Sequence, residues 1–307
     1  MYLYLPVALT SINILIPVGL GLAVGLLSGL FGVGGGFLLT PLLIMFGIPS
    51  TVAAATDSNQ IVAASTSGTY AHWKVGNVDF KMGLYLLVGG FAGGILGVQL
   101  IKLLHAMGNA DFVIKITYIL MLGIVGVYMF IESLQSMRKK KNTVEEAKQE
   151  QESAVGRFLK SLPLQTHFVK SGITHSLFVP IVLGAFVGIL AAIMGVGGGF
   201  LMVPIMVYLL RMPMHVVVGT SLFQILFTCI EVTFLQAYTN HSVDFILAVL
   251  LLLGSTVGAQ IGASFGKKLK AEQLKILLAT IVLAVTVKIL FEITLTPSLL
   301  LSQVGGH

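Results

Sequence analysis

The sequence predicts an all-α polytopic membrane protein of two inverted-topology repeats, each a glycine-broken helical hairpin followed by three long transmembrane helices. Three observations lead there. Of 307 residues, 56% are hydrophobic and only 10% are charged, against roughly 25% charged in an ordinary soluble domain. A Gly-Val-Gly-Gly-Gly-Phe sequence occurs once in each half, at 32–37 and again at 195–200. The lysines and arginines gather in a few loops, and their distribution orients the segments between them.

Apolar runs occupy 12–31, 37–47, 50–71, 82–104, 113–134, 174–194, 200–210, 214–238, 244–266 and 273–295. Most are long enough to cross a hydrocarbon layer about 30 Å thick. Two are not: 37–47 and 200–210 have 11 residues each, about 16 Å as helix and roughly half a crossing. Each follows a glycine cluster, as a re-entrant arm or a short full crossing. No basic segment precedes the first run, so it is expected to stay with the protein and not to be cleaved as a signal. Cys229 stands alone, which excludes an intramolecular disulfide. The net charge of +6 sits in loops, not on a basic face of a soluble module, so nucleic acid is not an expected partner.

Gly21–Pro41 aligns with Gly184–Pro204 without a gap, with 12 identities in 21 positions. With one inserted residue, Pro49, Thr56 and Gln60 meet Pro213, Thr220 and Gln224. With another, Asp79-Phe80 meets Asp244-Phe245, and Gly89, Gly93 and Gly97 fall on Gly254, Gly258 and Gly262. Glycine at every fourth position lets helix backbones approach closely. The repeats therefore take 12–134 and 174–295, joined by a hydrophilic linker, 135–173, that opens with Arg138–Lys141 and carries a capping box from Thr143 to Glu146.

Basic residues place the linker and Lys267–Lys270 on the cytoplasmic side. Two long helices separate them, so the glycine-containing unit 174–210 has to return to its starting side. The last helix makes the crossings per repeat odd, and an odd repeat duplicated in tandem is inverted. Both termini are then extracytoplasmic, and 15 of the 18 lysines and arginines are cytoplasmic.

Glycines cost about 1 kcal/mol each inside a helix relative to alanine, so the two clusters are expected to interrupt it. Unwound backbone at membrane depth is tolerated only where it is buried in protein or lines a wet cavity. The arm after each cluster begins at Phe37 or Phe200, and its free N–H groups point back at the glycines with about half a positive charge. That is an anion cradle. In inverted halves the two cradles meet near the midplane, where carriers of this design hold substrate on broken helices. Candidate ligand groups are thus Gly32, Gly34, Gly35, Gly36, Phe37, Gly195, Gly197, Gly198, Gly199 and Phe200. The alternative is a glycine turn that only lets helices cross.

The duplicated Gly-Val-Gly-Gly-Gly-Phe, followed four residues on by Pro41 or Pro204 and then by Ala55-Thr56 or Gly219-Thr220-Ser221, resembles the sulfite exporter TauE/SafE family, also described as the 4-toluene sulfonate uptake permeases. The resemblance covers both halves. It implies transport of sulfite, sulfoacetate or other sulfonates across the cytoplasmic membrane. Thr56-Asp57-Ser58-Asn59-Gln60 departs from the family's usual Thr-Ser pair in the first half.

Thr56, Asn59 and Gln60 share one helical face, and Thr220, Ser221 and Gln224 share the equivalent face of the other repeat. They offer hydroxyl and amide donors to an oxyanion, or hydrogen bonds between helices. Asp57, Glu231 and Lys288 are the ionisable residues furthest inside the runs, where a charge costs about 2.5–3.5 kcal/mol or more unless paired or hydrated. Exposure in an external vestibule accounts for Asp57. Glu231 reads as deeper, a proton carrier alone or paired with Lys288. The histidines lack metal-ligand spacing, no catalytic constellation is present, and no cofactor is expected. The expected function is a secondary, ion-coupled transporter of small sulfur-containing anions; a passive anion channel is the alternative. Oligomeric state cannot be read from the sequence.

Overall fold

A computed structural model describes residues 2–31, 36–138, 164–266 and 271–295. Gly32, Gly34 and Gly35, the capping box at 143–146 and Lys267–Lys270 lie outside the described residues. The chain runs through β1 (Tyr2–Leu5), β2 (Thr10–Asn13), α1 (Leu15–Phe31), α2 (Gly36–Met45), α3 (Ser50–Lys74), α4 (Phe80–Ala106) and α5 (Ala110–Arg138). After the linker come β3 (Gln165–Phe168), β4 (Ile173–Ser176), α6 (Phe178–Met194), α7 (Gly199–Pro204), α8 (Met214–Leu235), α9 (Phe245–Gly266) and α10 (Ala271–Leu295). Helix α7 continues as a π-helical turn, Ile205–Leu209, and α8 as another, Gln236–Asn240.

The strands correct the all-α expectation. β1 pairs antiparallel with β2, Tyr2 opposite Asn13 and Leu5 opposite Thr10. β3 pairs with β4 in the same way, Gln165 opposite Ser176 and Phe168 opposite Ile173. The spacing that relates Gly21 to Gly184 also relates the hairpins: Leu5 and Phe168 are both wholly buried, and Asn13 and Ser176 both stand just before a helix. Asn13 Oδ1 accepts the N–H of Leu15 and Ser176 Oγ that of Phe178, each occupying one of the N–H groups a helix start leaves free. Duplication thus begins at the strands, ahead of residues 12 and 174.

Local sequence sets the remaining boundaries. Pro49 and Pro213 are both extended and immediately precede α3 and α8; proline lacks an N–H and its φ is pre-set near −65°, so it suits a helix start and not its interior. Asp79 and Asp244 cap α4 and α9, accepting from Met82 and Leu247 at 3.1 Å each. Helices at Phe80–Ala106, Ala110–Tyr128, Met214–Asn240 and Phe245–Gly262 are long and apolar enough to span a bilayer. Helix α3 is as long as they are but less apolar, because Thr56, Asp57, Ser58, Gln60 and Ser65 along it are buried in the bundle and do not face lipid.

Each element of one half packs as its counterpart does. Helix α1 lies along α9 and α6 along α4; α3 crosses α8 and α5 crosses α10; the arm α2 rests on α3 and α7 on α8. Glycine ladders make the closest of these contacts. A Cβ on Gly93 would run into the Ala185 carbonyl of α6, and one on Gly258 into the Leu22 carbonyl of α1. Packing is therefore what Gly89, Gly93, Gly97, Gly254, Gly258 and Gly262 serve.

Candidate functional site

The two arms meet. Phe37 and Phe200, the second residues of α2 and α7, stack with centroids 5.5 Å apart and planes at 29°. Both are buried, so the N-terminal ends of the arms share one place in the core. Around the second cluster the chain turns through Gly195, Gly197 and Gly198, all with φ between 67° and 73°, a left-handed conformation that only glycine adopts without strain. Gly195 closes α6, its N–H reaching Ala191 O, and Gly198 opens α7, its carbonyl accepting from Met202 at 2.9 Å. A side chain on Gly195 would strike the Ala54 backbone of α3, and one on Gly197 would press on Cys229 and Ile225 of α8. The cluster is wedged between the two crossing helices. Ser58 Oγ lies 3.3 Å from the Gly195 carbonyl, and Tyr118 of α5 donates its hydroxyl to the Met194 carbonyl.

Gly36 and Phe37 sit beside α3 from the other side: a Cβ on Gly36 would collide with Ile61 and lie 3.4 Å from Asp57 Oδ2. Ile61 also faces Gly197. One residue near the middle of α3 therefore lies against both the head of α2 and the turn before α7.

Thr56, Gln60, Thr220, Ser221 and Gln224 are all buried, whereas Asn59 is half-exposed. They divide by what they bond. Thr56 Oγ1 accepts the N–H of Asp244 at 3.1 Å, and Thr220 Oγ1 that of Asp79 at 3.0 Å, so both threonines hold helix starts of the opposite half. Ser221 returns its hydroxyl to the Val218 carbonyl of its own helix. Gln224 Nε2 donates to Thr228 at 3.0 Å. The Oε1 atoms of Gln60 and Gln224 are buried with no partner within the protein.

The ionisable residues fall differently from expectation. Asp57 does not open into a vestibule: it is wholly buried, because it faces the arm α2, whose Thr40 hydroxyl donates to Oδ2 at 2.8 Å. Its Oδ1 has no protein partner. Glu231 is the shallower of the two acids, half-buried, with its carboxylate against Gly94 of α4. Lys288 is exposed on α10, which packs on α5, α2 and α1, and it is not brought to Glu231.

Thr40 and Tyr118, which contact Asp57 and the end of α6, are residues of the candidate site that sequence reasoning missed. Thr40 carried a signal, since the repeat has Val203 in its place. Tyr118 carried none; only the packing of α5 brings it to the end of α6.

A duplicated bundle in which two arms meet in the core, with Thr40 and Asp57 buried together beside one of them, and with several helices fit to span a bilayer, is a multi-pass membrane transporter. The chain belongs to the family described as "Sulfite exporter TauE/SafE", which it matches over residues 18–289. It is 28% identical over 272 residues to "Probable membrane transporter protein YjnA" of Bacillus subtilis, covering 88% of this chain and 97% of that protein. "Probable membrane transporter protein YunE" of the same organism is 25% identical over 292 residues, 91% of this chain and 98% of the relative. "Sulfite exporter TauE/SafE family protein 5" of Arabidopsis thaliana is 32% identical over 91 residues, 29% of this chain and 20% of that protein. No solved structure matches the chain.

Proposed function

We propose that this chain is a secondary, ion-coupled carrier of the cytoplasmic membrane for a small sulfur-containing anion such as sulfite, sulfoacetate or another sulfonate. The stacking of Phe37 on Phe200 carries the reading: it gathers the positive ends of two helical arms at one buried point. A pair of arms meeting there supplies what a compact tetrahedral oxyanion needs, N–H donors from two directions. Gln60 and Gln224, on the two helices against which the arms rest, carry amides whose Oε1 atoms the protein leaves unpartnered, and a half-turn of either amide presents its N–H₂ instead. The sulfur chemistry rests on the family and on relatives named for sulfite export.

Inversion of the repeats is part of this reading. The hairpin at the end of the linker reaches the loop before α4, with Ser171 Oγ donating to Asp79 at 2.6 Å and Lys170 Nζ to the Gly76 carbonyl at 3.4 Å. The N-terminal hairpin reaches the start of α9 through Val7 N–H and Asp244 at 3.1 Å. Asp79 bonds Thr220, early in the helical run Met214–Asn240, whereas Asp244 follows its end; that run has 27 residues, about 40 Å. The two clasps thus sit at opposite ends of a spanning helix, which supports a cytoplasmic linker and extracytoplasmic termini.

Uptake of ³⁵S-labelled sulfite and methanesulfonate into proteoliposomes tests the proposal. A carrier saturates and supports exchange of internal for external anion. Linear flux to high concentration with unitary currents would replace the carrier with a channel, and no flux of either anion would overturn the assignment.

A further inference from the structure

Asp57 breaks the symmetry of the site. Its counterpart in the repeat is Ser221, whose hydroxyl turns back to the Val218 carbonyl, and the counterpart of Thr40 is Val203, so the second half has no carboxylate at the position of Asp57 and no hydroxyl at that of Thr40. In the first half Thr40 Oγ1 donates to Asp57 Oδ2 at 2.8 Å, the Thr40 backbone N–H faces the same carboxylate, and Gly36 at the head of α2 lies alongside. Oδ1 is left without a protein partner on a side chain that is wholly buried. Among the described residues no cation is paired with the group. Helices α2 and α6 carry no titratable side chain. Among the described residues, the titratable groups that face it from neighbouring helices are the Tyr118 hydroxyl from α5 and the Cys229 thiol from α8. From α9 the nearest is Asp244, which is occupied with the N–H groups of Val7, Ile246 and Leu247.

We propose that Asp57 takes up one proton for each anion that enters between the arms, which makes the protein a proton–anion symporter with its proton site in the first half alone. This rests on the carrier reading above. The ionised carboxylate is itself an anion at the head of α2: it occupies the positive end of that arm and repels a second anion across a few ångströms of low-dielectric interior. Adding a proton to Oδ1 forms one O–H bond, removes one negative charge and frees the arm for substrate, while Thr40 stays on Oδ2. Release on the other side breaks the same O–H bond, and nothing is oxidised or reduced. Because coupling is reciprocal, an anion that binds better to the neutral acid also draws the proton on. A proton has the advantage over a metal cation here, since a cation of that size needs several oxygen ligands and Oδ1 is the one unpartnered oxygen on this carboxylate.

One proton with one monovalent anion is electroneutral, and that makes the test sharp. Methanesulfonate remains monovalent across the working pH range, so its own titration does not intrude. With wild-type protein in proteoliposomes, a pH gradient of one unit, acid on the uptake side, should accumulate it about tenfold, and a potassium diffusion potential should have little effect. In Asp57→Asn, and in Asp57→Ser, which copies the second half, the dependence should invert: no accumulation in a pH gradient, and uptake that follows an inside-positive potential. Thr40→Val should keep coupling but shift the pH at which uptake is half-maximal. Accumulation by Asp57→Asn or Asp57→Ser equal to wild type would overturn the proposal, as would saturable wild-type uptake indifferent to the pH gradient, or uptake driven by a gradient of the opposite sign. Those three results leave the carrier standing; absence of any saturable uptake of methanesulfonate or sulfite would remove the carrier and the proton site together.

Discussion

Thr56 Oγ1 receives the backbone N–H of Asp244 at 3.1 Å, and the repeat returns the contact between Thr220 and Asp79 at 3.0 Å. Each threonine belongs to one crossing helix and each aspartate caps a helix of the other half. Two copies of one three-part joint, threonine to capping aspartate to hairpin, therefore hold the two halves together at opposite ends.

Thr56→Val and Thr220→Val each strand a buried N–H at a helix start, at a cost of about 1–3 kcal/mol. Thermal unfolding in detergent should show both losses. Since the joints share no residue, the double substitution should add the two within about 0.5 kcal/mol; strong non-additivity would show that the joints act as one.

Gly93→Ala and Gly258→Ala should each destabilise by about 1–3 kcal/mol, the usual cost of overpacking, because the added methyl meets the backbone carbonyl of a neighbouring helix. Gly123→Ala is the control: the nearest atom to its Cβ is Thr286 Cγ2 at 3.7 Å, an ordinary contact, and the helix gains from losing a glycine. If all three behave alike, the ladders are not what holds α4 to α6 and α1 to α9.

Gln60→Leu removes a buried, unpartnered acceptor, so the fold should tolerate it or gain slightly. Anion affinity should fall about tenfold, equivalent to roughly 1.4 kcal/mol, as measured by the half-saturation of sulfite uptake. Stability lost with affinity unchanged would make the residue a packing element.

Sidedness is open to labelling because Cys229 is buried. A cysteine at Leu9 or Val169, tips of the two hairpins and 73% and 81% exposed, should react with a membrane-impermeant maleimide from opposite sides: Leu9→Cys in intact cells, Val169→Cys only in inverted vesicles. Labelling of both from one side would refute the inverted arrangement.

The glycine-led arms were legible because an interruption in an apolar run has few causes, and α2 and α7 begin within a residue of where Phe37 and Phe200 mark them. The hairpins escaped: strands of four residues give no usable periodicity, and the second lies at the end of a polar linker. Carrying the repeat back from Gly21 and Gly184 through Pro17 and Pro180 would have reached them. Depth was the harder quantity. Position along a helix does not rank Glu231 against Asp57, since each lies seven residues from an end of its apolar run; burial follows the face a residue turns to its neighbours, and Asp57 faces the arm α2. Glu231 and Lys288 were joined by charge alone, although they stand on helices that pack against different partners.

The N-terminal hairpin has a consequence for how the chain is made. Its Val7 waits for Asp244, 237 residues later; at about 5–20 residues per second the ribosome needs tens of seconds to deliver that partner. Through that interval the hairpin stands without its contact to Asp244. The hairpin therefore gains this contact only once the start of α9 has been made, so a late segment of the chain fastens an early one.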